Sequence, residues 1–77
     1  MNKPRRKAVQ HIYDQLLDLK EQLEELNDEE QESFNNIPEN FQGSERYEVA
    51  EEIASNLDEA VTAISDLVDY LENVITA

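Results

Sequence analysis

The residues of this 77-residue chain that could carry chemistry are one histidine, four serines and 19 carboxylates, and there is no cysteine. His11 has no second histidine and no Glu-x-x-His spacing, so neither a zinc set nor a di-iron set assembles around it. It reads as an ordinary surface histidine. Ser33, Ser44, Ser55 and Ser65 lack a nucleophile-elbow context, and one histidine gives no recognisable triad. No Asp-x-Asp-x-Asp-Gly loop is present for calcium, which leaves only weak, nonspecific binding of divalent cations. The single glycine excludes a glycine-rich phosphate loop, and the absence of cysteine excludes disulfides and thiolate metal sites. The expectation is a non-enzymatic chain with no catalytic residue, no metal ligand and no cofactor.

The carboxylates are the dominant feature. Nineteen acids against six bases leave a formal charge of −13. Four of the bases, Lys3, Arg5, Arg6 and Lys7, stand in the first seven positions, so the rest of the chain is an acidic body with a short basic arm. This balance argues against direct nucleic-acid binding and for a basic partner. No apolar run is long enough for a membrane span or a signal-peptide core, and a cytoplasmic protein without membrane contact is expected.

Runs of like charge at this density prevent folding unless apolar residues recur with a strict period. They do so twice. Val9, Ile12, Leu16, Leu19, Leu23 and Leu26 follow alternating spacings of three and four, as an a/d helical seam requires. Pro4 suits the first turn of that helix, and Glu30 and Ser33 end the seam. Ala50, Ile53, Leu57, Ala60, Ile64, Leu67, Leu71 and Val74 repeat the pattern, with Ser44 as N-cap and Glu45 and Glu48 in the first turn. The chain is therefore predicted to be all-α, a single long antiparallel helical hairpin with helices over about 4–33 and 44–76. The hinge, 34–43, is rich in Asn, Pro and Gly. Within it Phe34, Ile37 and Phe41 are expected to plug the open end, with a hook for a partner as the alternative.

The second helix has spare apolar residues. Ala54, Val61, Val68 and Ile75 fall at e positions, and Val49, Ala63 and Tyr70 at g, a face wider than a two-stranded seam uses. A hairpin this small buries little, so a homodimer joined through Ala54, Val61, Val68 and Ile75 into a four-helix bundle is expected. On the first helix Tyr13 and Leu17 stand where the outer face should be polar. They are expected to pack on the second hairpin or to anchor a partner.

The stretch Asp28-Glu29-Glu30-Gln31-Glu32-Ser33-Phe34-Asn35-Asn36-Ile37-Pro38-Glu39-Asn40-Phe41-Gln42-Gly43-Ser44-Glu45-Arg46 resembles a motif of small acidic helical-hairpin proteins of phages, mobile elements and Gram-positive bacteria. There an acidic DEEQE run leads through F-N-x-P-E and Q-x-S-E-R into an alanine-rich amphipathic helix. The resemblance covers about residues 26–64. It implies a hairpin fold and a phage setting, without a reaction; Tyr47 stands where those proteins often have a glycine.

Apart from Glu29 and Glu30 at the end of the first seam, the acids on both helices fall at b, c and f positions, facing away from the expected seam. With helices of about 45 Å, the acidic body carries one net charge per ~2.6 Å, and a pair of hairpins one per ~1.3 Å, against ~1.7 Å for duplex DNA. The expected function is protein binding. The acidic surface, with Glu48, Glu52, Glu59 and Asp66 facing outward, docks on a basic, nucleic-acid-binding protein surface, held there by Tyr13, Leu17, Phe34 and Phe41, as a phage-type modulator, inhibitor or DNA mimic would. The alternative is a self-assembling structural bundle whose charge serves solubility. The basic arm is expected to pair with Asp66, Asp69 and Glu72 at the end of the second helix.

Overall fold

The computed structural model describes residues 1–77 as two long helices joined by a short 3-10 turn. Helix α1 spans Lys3–Asn35, the turn Glu39–Phe41, and helix α2 Glu45–Thr76. The helices lie antiparallel in a rod of 59 × 15 × 14 Å, and there is no strand.

Local chemistry sets the helix ends. Asn2 caps α1, its side-chain oxygen accepting from the Arg5 backbone N–H at 2.8 Å, with Pro4 in the first turn where a missing donor costs nothing. Ser44 caps α2 by accepting from the Tyr47 N–H, and Glu45 and Glu48 favour the positive end of the dipole. Gly43 has φ of +91°, a left-handed conformation that a side chain would strain, and it turns the chain into that cap. α1 runs two residues past its expected end at Ser33. Phe34 contributes to this, because its ring stacks on Tyr47 with centroids 5.1 Å apart and ties the last turn of α1 to the first of α2.

The helices meet along a seam rotated by one column from the expected one. On α1 the buried or half-buried positions are Arg6, Val9, Tyr13, Leu16, Lys20, Leu23, Asn27, Glu30 and Phe34, with Gln10 and Gln31 beside them. On α2 they are Tyr47, Ala50, Ala54, Leu57, Val61, Ile64, Val68, Leu71 and Ile75, with Ser65 beside them. Val9, Leu16 and Leu23 thus belong to the seam as expected. Ile12, Leu19 and Leu26 do not, being 51, 52 and 56% exposed. The same exchange occurs on α2. Ala54 and Val68, expected at a dimer interface together with Val61 and Ile75, are the two buried apolar residues of the hairpin itself, whereas Ile53 and Leu67 are 50 and 44% exposed.

Size and hydrogen bonding account for the rotation. Opposite the small Ala54, Asn27 is buried and donates to the Asp58 carboxylate at 3.3 Å, while Gln31 donates to the Asn27 side-chain oxygen at 3.1 Å and to the Ala54 carbonyl at 2.8 Å. Burying an amide is tolerable when its hydrogen bonds are made, and no buried side-chain polar atom is left without a partner.

Candidate protein-interaction surface

In an antiparallel pair of helices, equivalent heptad columns lie on the same side of the pair. The rod therefore has two unlike sides. On one, the Tyr13–Lys20–Asn27 column faces Ala54, Val61 and Val68, flanked by Gln10, Glu24 and Gln31 from α1 and Glu51, Asp58, Ser65 and Glu72 from α2. That side holds the Asp58–Asn27–Gln31 hydrogen bonds and the one salt bridge, Lys20–Glu24 at 3.8 Å.

On the other side the half-buried columns Val9–Leu16–Leu23 and Leu57–Ile64–Leu71 are flanked by exposed ones, Ile12–Leu19–Leu26 and Ile53–Ala60–Leu67–Val74. Val49 and Tyr70, 50 and 70% exposed, extend it at the α2 edge. The acids avoid this side. None of the nine acids of α2 lies in these columns or in the adjoining one, and of the nine in α1 only Glu29 and Glu30 do, both at the hinge end. The neighbouring rim positions on α1 are Gln15 and Gln22, and on α2 Asn56 and Ala63. An apolar strip runs along the rod, its rim uncharged as far as Glu29 at the hinge end.

The residues expected to bind a partner are not gathered in one place. Glu52, Glu59 and Asp66 form a single exposed stripe along the back of α2, and Glu48 lies one turn before Glu52. Leu17, 39% exposed, is an isolated apolar residue among the polar groups of the hydrogen-bonded side. Tyr13 is not on the outer face; it is half-buried in the seam. At the hinge, Phe34 and Ile37 are half-buried and close the end, but Phe41 is 57% exposed and takes no part in the plug.

The basic arm also differs from expectation. None of its cations forms an ion pair with Asp66, Asp69 or Glu72; Arg6 instead donates to the Ile75 carbonyl at 3.1 Å. A cation there satisfies a carbonyl that the C-terminus of α2 leaves without an intrahelical donor. A shallow depression beside it is lined by Lys3, Pro4, Arg6, Lys7, Gln10 and Ile75. No group of three or more His, Cys, Asp or Glu is placed to hold a metal ion, and no helix is long and apolar enough to cross a membrane.

Sequence reasoning missed Asn27, Gln31 and Asp58. The signal was available as a polar column, Lys20 and Asn27, one residue after Leu19 and Leu26, with a small Ala54 able to face it. The chain matches no family model, no curated protein and no solved structure in comparisons of sequence and fold.

Proposed function

We propose that the chain is a small non-enzymatic protein-binding module whose acidic outer surface docks on a basic protein surface of the kind that receives nucleic acid. The observation that carries this reading is that, apart from Asp58, which accepts from Asn27, and Glu30, half-buried at the hinge end of the seam, the acids lie on the outer surface and are not used to join the helices. Of 19 carboxylates one is in a salt bridge, and the nine on α2 are confined to three adjacent columns turned away from the apolar side. A surface serving solubility alone would mix its signs.

The rod is longer than two bare helices suggest and the whole chain includes the basic arm, so its charge is more dilute than that expected for the acidic body alone. Over 59 Å a single chain of −13 carries one net charge per ~4.5 Å, and a pair of chains one per ~2.3 Å, still comparable with the ~1.7 Å of duplex DNA. Such a rod competes with phosphates for Lys/Arg-lined grooves, and its encounter rate is set by charge. The resemblance around residues 26–64 implies a phage setting, and in such a setting the module would act as a modulator or inhibitor in the cytoplasm.

The test is retention of a basic partner on the immobilised protein at rising salt, with Glu52, Glu59 and Asp66 all changed to Gln in a second sample. Capture that falls with salt and with the triple substitution is expected. Equal capture by both proteins, or none at any salt, overturns the reading. The second reading, a self-assembling structural module, is favoured by a separate observation: the uncharged apolar side.

A further inference from the structure

We propose that the apolar side of the rod is covered by a second copy of this chain, docked head to tail so that the hinge of each hairpin lies beside the chain termini of the other. This deepens the self-assembly reading and does not depend on the basic partner.

Surface area gives the first argument. The chain exposes 6010 Å². A folded monomer of 8.9 kDa exposes about 4,800 Å², so roughly 1,200 Å² is in excess. A standard interface buries about 800 Å² on each partner. With two buried apolar residues in the whole hairpin, Ala54 and Val68, an apolar side left in water would be a poor arrangement for a 77-residue chain.

Charge identifies the occupant. A basic partner would be met by acids around the strip, but along the rod the rim is Gln15, Gln22, Asn56 and Ala63, with Glu29 its one acid at the hinge end. A neutral rim suits a partner of the same sign. Two copies joined here keep their Glu52–Glu59–Asp66 stripes outside the contact, along the α2 edge of a four-helix bundle.

Charge also sets the orientation. Residues 24–57, the hinge half, hold eleven acids and Arg46, a net of −10, and the terminal half holds eight acids and five bases, a net of −3. Hinge beside hinge would set −10 against −10. Head to tail sets −10 against −3 and brings Glu29 and Glu30 of each copy near the partner's Arg5. About a two-fold axis at the middle of the rod, close to Leu19 and Ala60, α1 lies on α1, and Ile12 of one copy meets the partner's Leu26.

Light scattering should give twice the 8.9 kDa chain mass. Leu19→Asp with Leu67→Asp, both on exposed positions, should halve it. Because that variant could lose its fold, orientation and contact are tested independently by cross-linking, which the cysteine-free sequence permits. Ile12→Cys mixed with Leu26→Cys should form a disulfide-linked pair on oxidation, and neither should link to itself. Self-linked pairs without the mixed one overturn the head-to-tail arrangement. A mass of one chain at tens of micromolar, with no mixed pair, overturns the dimer while leaving the basic-partner reading intact.

Discussion

On one side of the hairpin Asn27, Gln31 and Asp58 join the helices through side-chain hydrogen bonds, with Glu24, Glu51 and Glu72 around them. On the other, Ile12, Leu19, Leu26, Ile53 and Leu67 stand about half exposed, with no acid among them until Glu29. The contrast separates two tasks that a single apolar stripe would confuse. The polar side specifies how α1 meets α2, since a buried amide tolerates few partners and therefore selects register. The apolar side adds area without direction, and area of that kind is useful only when something covers it.

The sharpest way to break this contrast is to charge each side in turn. Val68→Asp puts an unpaired carboxylate at a position 4% exposed, a cost of several kcal/mol that should abolish helicity in circular dichroism at every protein concentration. Leu67→Asp, one residue away, should instead leave a helical chain whose melting temperature no longer rises with protein concentration as that of the unsubstituted dimer does. Equal behaviour of the two would erase the distinction between the sides.

Smaller effects sharpen it. Phe34→Ala removes the stack on Tyr47 and should cost about 1–2 kcal/mol in urea unfolding, a partial loss because the ring is half-buried. Asn27→Ala should cost about 1 kcal/mol by removing the side-chain bonds to Asp58 and from Gln31. Raising sodium chloride from 0.05 to about 0.5 M should increase the melting temperature, because screening relieves repulsion that a single salt bridge does not offset. Leu17→Gln, on the polar side, should change stability by no more than about 0.5 kcal/mol.

The helices themselves were legible because their signals are local. Pro4, Ser44, Glu45 and Glu48 mark starts, and spacings of three and four admit only helix, so the expected bounds of 4–33 and 44–76 lie within two residues of Lys3–Asn35 and Glu45–Thr76. Which columns pair was not legible. Val9, Leu16 and Leu23 can share a seam with the Ile12 column on one flank or the Tyr13 column on the other, and period alone prefers the more apolar choice. The choice turns on Asn27 reaching Asp58, 31 residues away, opposite a side chain as small as Ala54. Contacts across that separation leave no trace in a periodic pattern. The same blindness assigned Tyr13 to the outside and the Ala54 column to a dimer. The stripe Glu52–Glu59–Asp66 needed no such information, because it lies far from either candidate seam.

Since Asn27 aligns the two helices from within, the connecting segment is released from that duty. Extending Ile37–Gln42 with a few inserted residues should leave the helices in step, because doubling a flexible loop adds only about 0.6 kcal/mol of closure entropy. The turn is thus the part of this molecule free to drift, to accept a graft or to carry a tag, with Phe41 already pointing to what such a tip can display.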